Sequence, residues 1–166
     1  MGSSNRNLGF TIPEVLVAVV IMVFVMLGVI AVYLVSQTVW IEGNARINLQ
    51  RQARTAMEEM VRGVDGTDGI REAASVTIPG GTNIQYTSGV DSIERSFYLS
   101  GDKVMYDPDT STGGDEFSIA ENVRTTPSGL SFSASDDVVT IDLSMEDQVG
   151  DKTISVDLSG QVKLRN

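Results

Sequence analysis

Residues 9–35 read GFTIPEVLVAVVIMVFVMLGVIAVYLV, and this stretch decides how the chain folds. Residues 15–35 are all apolar or glycine. A helix over this run is about 30 Å long, because each residue adds about 1.5 Å, and that length matches the hydrocarbon core of a bilayer. The stretch therefore predicts a helix that can cross a membrane.

A removed secretory signal peptide is the alternative interpretation of this apolar run. Such a signal has an apolar core of about 7–15 residues and ends at a small-residue cleavage site. The run here is longer, and the residues after it, SQTVWI at 36–41, contain no such site. Arg6 precedes the run, so the positive-inside rule places residues 1–9 in the cytoplasm and the part after the membrane outside.

The junction GFTIPE at residues 9–14 is more specific than the start of a plain membrane anchor. Glycine followed by Phe-Thr-x-x-Glu and a long apolar run resembles the cleavage and methylation signal of type IV prepilins and type II secretion pseudopilins. The resemblance implies that a prepilin peptidase cuts after Gly9 and N-methylates Phe10. Residues 1–9 would then be the leader peptide.

Glu14 also has a physical interpretation that does not depend on the resemblance. An ionised carboxylate at the edge of an apolar helix is costly to bury and usually has a partner or a function. If cleavage exposes the amine of Phe10, Glu14 of one subunit can pair with that amine on a neighbour in a filament, which would set the axial register. The alternative is that Glu14 lies in the headgroup region and is solvated.

The residues after the apolar run predict that the helix, starting at about Thr11, continues to about Arg62. Apolar residues recur at spacings of four or three, which places them on one face of a helix. Gly63 and the turn-forming residues up to Gly69 end it. An arginine-rich amphipathic stretch could also lie on a membrane surface, but docking on the chain's own head is favoured. The stripe consists of Ile41, Ala45, Leu49, Ala53, Met57 and Met60, and the opposite faces carry Arg46, Gln50, Arg51, Arg54 and Glu58.

Residues 63–166 predict a β-rich globular head, because apolar and polar residues alternate at 130–132, 139–143 and 154–158. Residues 96–100 and 103–106 flank Gly101-Asp102, a two-residue hairpin signal. The predicted fold class is α+β, with a long N-terminal helix packed on an antiparallel sheet in a pilin-like manner. The predicted domains are the leader 1–9, a transmembrane or filament-core half 10–35, an amphipathic half 36–62 and the head 63–166.

The composition excludes several classes of function. Residues 63–166 carry 7 basic and 18 acidic side chains, which holds nearly all of the net charge of −10, so no nucleic-acid partner is expected. The chain has no cysteine and no histidine, which removes thiolate metal sites and the commonest general base. The protein is therefore predicted not to be an enzyme, with an anchored hydrolase using carboxylates as a distant alternative.

The acidic loop at residues 107–116 reads DPDTSTGGDE and supplies several oxygen ligands near a turn. Asp107, Asp109 and Asp115 are weak candidates for binding calcium, although the loop does not fit the EF-hand pattern. A solvated loop is the favoured interpretation, because unpatterned acidic loops are common. No other cofactor is predicted.

The sequence as a whole predicts a structural subunit, a minor pilin or pseudopilin, of a type IV pilus-like or type II secretion filament. Short stretches at 120–123, 130–132 and 162–166 resemble minor pseudopilins of the J type and their minor-pilin relatives. The expected partners are prepilin peptidase, other pilin or pseudopilin subunits, an inner-membrane assembly platform and membrane lipid. The expected location is a single pass through the cytoplasmic membrane, followed by the filament. The alternative is a singly anchored extracytoplasmic binding or sensor domain that does not polymerise.

Overall fold

The computed structural model describes residues 11–165, and its longest element is helix α1, Ile12–Arg62, of 51 residues. This confirms the predicted helix. The helix ends at Gly63, which has a φ of +103° and at which a Cβ atom would overlap the carbonyl oxygen of Thr67. Glycine fixes the end of the helix, because a residue with a side chain is strained in this conformation and has no room.

The chain divides into two compact units, with the boundary between Ile41 and Glu42. In the first unit, every residue from 11 to 41 is exposed. In the second unit, the rest of α1 contributes one face to a hydrophobic core. The fully buried residues of that face are Leu49, Ala53, Ala56 and Met60.

This buried face differs in part from the predicted apolar stripe. Ile41 is 53% exposed, and Ala45 and Met57 are only half-buried. Ala56, which the prediction omitted, is fully buried. The reason is geometric: positions spaced by four drift around a helix by about 40° per step, whereas alternating steps of four and three stay on one line.

Eight strands form two antiparallel sheets, and a short 3₁₀ turn, Ile70–Glu72, connects α1 to the first of them. The strands of the first sheet, in spatial order, are β1 Ala73–Thr77, β2 Asn83–Ser88, β3 Glu94–Ser100, β4 Lys103–Asp107 and β5 Phe117–Ala120. Those of the second sheet are β6 Leu130–Ser135, β7 Val138–Val149 and β8 Lys152–Lys163. The antiparallel strands were predicted, but a single sheet was expected and two are present.

The predicted hairpin is confirmed. Ser100 of β3 pairs with Lys103 of β4 across the Gly101-Asp102 turn, and Gly101 has the positive φ of +63° that such a turn requires. A second hairpin joins β7 and β8, which remain in register from Val138↔Lys163 to Val149↔Lys152. The second sheet is therefore built mainly from one long ribbon.

One core joins both sheets to the second part of α1. The aromatic rings of Tyr86, Phe97 and Tyr106 stack across β2, β3 and β4 with centroid distances of 5.8 and 4.8 Å. The helix approaches β8 so closely that a Cβ atom at Gly160 would lie 2.6 Å from the methyl carbon of Met57. The apolar side chains of the second sheet complete the core: Leu130, Phe132, Val139, Ile141, Leu143 and Met145.

Candidate functional site

Glu14 lies in the first turn of α1. The backbone N–H groups of Glu14 and Val15 donate to the carbonyl oxygen of Thr11 at 3.0 and 3.1 Å, so the helical hydrogen bonds begin there. Pro13 is tolerated in this turn because its missing N–H would have no partner within the helix. Glu14 is exposed, and its carboxylate is accessible to a partner from outside the chain.

The helix after Glu14 presents apolar side chains on all sides. Its most apolar 18-residue window has a mean hydropathy of 3.3, and none of that window is buried. Even Val20, the least exposed large apolar residue between 15 and 35, is 49% exposed. Within residues 11–165, α1 is the one helix long and apolar enough to cross a membrane. A helix that is apolar around its whole circumference requires lipid or other apolar segments as its surroundings.

Residues 4–30 match a family model described as the prokaryotic N-terminal methylation motif. The chain carries the type IV prepilin-like signal. This signal, together with the apolar helix that follows it, supports a precursor of the type IV pilin or pseudopilin class. The α+β arrangement of one long N-terminal helix and antiparallel sheets is pilin-like, as predicted. No curated protein and no solved structure matches the chain.

The prepilin-like signal includes Gly9 and Phe10, the predicted processing residues, and both lie outside the residues that the structure describes. Glu14 lies within the same match and is described. The match covers the N-terminal signal and not the head, so the predicted likeness to J-type minor pseudopilins is not confirmed.

The acidic loop connects β4 to β5. Asp107 accepts a hydrogen bond from the N–H of Asp109 at 3.1 Å, and the Asp109 carboxylate accepts from the N–H and hydroxyl of Ser111 at 3.0 and 2.6 Å. The Asp115 carboxylate accepts from the hydroxyl of Thr112 at 3.0 Å. The three predicted calcium ligands therefore act as acceptors in the turns of their own loop.

The pKa values of two carboxyl groups in this loop are shifted in opposite directions. Burial raises the pKa of Asp107, and the negative charges of Asp115 and Glu116 raise it further. Hydrogen bonds from Ser111 lower the pKa of Asp109. Within residues 11–165, no group of three or more acidic side chains is arranged to hold a metal ion. Calcium binding by this loop stays a prediction.

An ion pair between a buried arginine and an exposed aspartate was not predicted from the sequence. Arg95 on β3 is 3% exposed, and its guanidinium donates to both carboxylate oxygens of Asp91, with a separation of 3.1 Å between Nη1 and Oδ1. These bonds hold the pKa of Asp91 well below its usual range. Asp91 and Arg95 stand in a polar stretch of sequence, where charged residues are ordinarily solvated, so no local signal indicates that Arg95 is buried.

Further polar contacts bind the loop after α1 to the first sheet. The hydroxyl of Tyr86 donates to the carbonyl oxygen of Asp68 at 2.8 Å, and the hydroxyl of Ser88 donates to the Asp68 carboxylate at 2.7 Å. The hydroxyls of Tyr106 and Thr67 lie 2.8 Å apart. Burial raises the pKa of Tyr86, so this phenol stays protonated and remains a donor. These groups stabilise the connection between helix and sheet.

Proposed function

We propose that the chain is a minor pilin or pseudopilin, a structural subunit of a type IV pilus-like or type II secretion filament. The observation that carries the proposal is the match of residues 4–30 to the N-terminal methylation motif, directly ahead of an apolar helix that is exposed on every side. Prepilin peptidase cleaves after Gly9 and methylates the new terminal residue, Phe10.

The apolar helix accounts for both stages of this function. Fully burying one large apolar side chain stabilises by about 1.5–3 kcal/mol, so a helix with such side chains on every side cannot remain in water. Membrane lipid covers these side chains before assembly. The helices of neighbouring subunits cover them afterwards, when the subunit leaves the membrane and packs into the filament core.

Glu14 supplies the polar contact in this apolar packing. It is exposed in the first turn of α1, close in sequence to the amine that cleavage after Gly9 creates at Phe10. Pairing of the carboxylate with the Phe10 amine of a neighbouring subunit neutralises two charges that are costly to bury singly. The pairing fixes how far one subunit is displaced along the filament axis relative to the next.

The proposed partners follow from these steps. They are prepilin peptidase, other pilin or pseudopilin subunits and an inner-membrane assembly platform. Before assembly the helix crosses the cytoplasmic membrane once, with residues 1–9 in the cytoplasm and the head outside, as the positive charge of Arg6 favours.

Intact mass spectrometry of the full chain, coexpressed with and without a prepilin peptidase, tests the processing step. We expect a chain that begins at N-methylated Phe10 only when the peptidase is present. A chain that still carries residues 1–9 after coexpression contradicts the proposal and favours a plain membrane anchor.

The Glu14→Gln variant tests assembly. It should be processed normally but enter filaments at least about tenfold less, because the loss of about 1.4 kcal/mol per contact changes an equilibrium tenfold. The matched control is Glu58→Gln, which removes an exposed carboxylate from the same helix beyond the apolar run, where its ion pair is with Arg62 one turn further along. Equal amounts of wild type and Glu14→Gln in sheared filaments would exclude the pairing.

A further inference from the structure

Near the end of the first unit, at residues 36–41, the sequence changes from purely apolar residues to a mixture of polar and apolar ones. Residues 36–38 are Ser, Gln and Thr, residues 39–41 are Val, Trp and Ile, and Glu42 is the first charged residue after Glu14. As a helix, the charge-free segment 15–41 is about 40 Å long, which exceeds the hydrocarbon core of about 30 Å and approaches the thickness of the whole bilayer of about 40–45 Å. A spanning helix with Glu14 at one surface therefore brings Trp40 to the other.

A shallow groove, open to the surroundings, lies on one face of this part of the helix. It is lined by two aromatic rings, of Tyr33 and Trp40, with the polar side chains of Ser36 and Gln37 between them, and by Ile41. Trp40 is 71% exposed and Tyr33 is 59% exposed. The amide of Gln37 donates to the hydroxyl of Tyr33 at 2.6 Å. The groove thus combines apolar rings with polar groups at one depth of the helix.

The indole N–H of Trp40 determines what kind of partner fits the groove. It has no hydrogen-bond acceptor among residues 11–165, whereas the nearby hydroxyl of Thr38 is already bonded to the carbonyl oxygen of Leu34 at 3.2 Å. Trp and Tyr have an apolar body and a polar tip, and they concentrate at the headgroup level of membranes. Phospholipid headgroups supply ester and phosphate oxygens beside apolar chains, which an apolar neighbouring helix does not.

We propose that the groove lined by Tyr33, Ser36, Gln37, Trp40 and Ile41 binds a phospholipid headgroup at the C-terminal end of the spanning segment. The rings of Tyr33 and Trp40 lie along the upper acyl chain, and the indole N–H donates to an ester or phosphate oxygen. This contact fixes the depth of the helix in the bilayer. The inference rests only on the membrane-spanning part of the proposed function, not on filament assembly.

The fluorescence of Trp40 tests this placement directly, because Trp40 is the single tryptophan of the chain. The full chain is reconstituted into phosphatidylcholine vesicles whose acyl chains are brominated either near the glycerol or near the terminal methyl group. We expect blue-shifted emission, stronger quenching by the shallow bromines than by the deep ones, and partial quenching by aqueous iodide.

Two matched variants calibrate the depth by moving the single tryptophan. Trp40→Phe combined with Val25→Trp places it in the middle of the apolar run, where deep bromines should quench it most. Trp40→Phe combined with Val90→Trp places it on the head, at a residue that is 75% exposed, where iodide should quench it most. If Trp40 behaves like either calibration variant, the proposal is overturned; if filaments fail to form while Trp40 shows shallow quenching, only the filament function is lost.

The role of the polar groups is tested by Ser36→Leu with Gln37→Leu, which extends the apolar run by two residues, or about 3 Å. We expect the helix to shift so that Trp40 lies deeper, with the ratio of deep to shallow quenching raised. An unchanged ratio would show that Ser36 and Gln37 do not contact the headgroup layer. Emission that blue-shifts only after subunits assemble, and not in vesicles alone, would instead assign the groove to a neighbouring subunit.

Discussion

The two parts of α1 belong to one helix, but only one of them is packed against the rest of the chain. From 12 to 41 every residue is exposed, whereas Glu42–Arg62 contributes four buried residues to a core formed with the two sheets. The second part has polar side chains on its exposed face, and the first part has none between 15 and 35 apart from the hydroxyl of Tyr33. The difference shows that the chain itself covers only one part of the helix, so the other part requires lipid or other apolar segments around it.

Leu49→Ala, in the second part of α1, should cause the largest change, a loss in the free energy of unfolding. Leu49 is 2% exposed, and truncating a buried leucine lowers the free energy of unfolding by about 2–5 kcal/mol. Denaturant unfolding of a fragment beginning at Glu42 measures this loss. The matched control is Ile47→Ala, two residues away and 48% exposed, for which the change should stay within about 0.5 kcal/mol. Equal losses in the two variants would mean that this part of the helix is not packed as described.

Val25→Arg tests how the first part of α1 is covered, in the membrane and in the filament. A charge at the centre of a spanning helix costs about 2.5–3.5 kcal/mol, which the apolar neighbours offset, so the variant should still enter the membrane. In a filament core the same charge is buried without a partner, and we expect at least about a tenfold loss of subunit from sheared filaments relative to the membrane fraction. Val90→Arg, on an exposed residue of the head, is the control and should assemble normally. Normal assembly of Val25→Arg would show that the apolar helix is not buried among subunits.

Asp91→Asn should lower the free energy of unfolding of the head by a smaller amount, and this loss should depend on pH. Because Arg95 lowers the pKa of folded Asp91, the pair stabilises the fold fully above the unfolded pKa of about 3.9 and progressively less as the pH falls below it. Wild type should therefore exceed the variant in stability at pH 7, and the difference should shrink in acid. Asp102→Asn, in an exposed turn, is the control. A difference that is constant from pH 7 to strong acid would exclude ionisation of Asp91 as its cause.

The sequence was sufficient to predict the elements that rest on local patterns. The apolar run, the end of the helix at Gly63 and the hairpin at Gly101-Asp102 all depend on neighbouring residues, and all are confirmed. The motif at residues 9–14 could also be identified from the sequence, because it consists of specific residue types at fixed spacing.

The remaining features depend on contacts between distant parts of the chain. The strand Ala73–Thr77 lacks a regular alternation, and the division of the strands into two sheets follows from pairings that no short stretch encodes. The burial of Arg95 depends on strand β2, whose Tyr86 pairs with it across the sheet, so the charge of Arg95 alone did not indicate that burial. The processing at Gly9 and Phe10 stays a prediction.

The close packing of α1 on β8, where Met57 approaches Gly160, restricts where related chains can gain or lose residues. Inserting one residue between Leu49 and Met60 would rotate the remainder of the helix by about 100° and turn part of its buried face toward solvent. Insertions in exposed turns such as the one at Gly113-Gly114 would only lengthen the turn, at a small entropic cost. Evolutionary insertions and deletions should therefore accumulate in these turns, while the number of residues between Leu49 and Met60 stays constant.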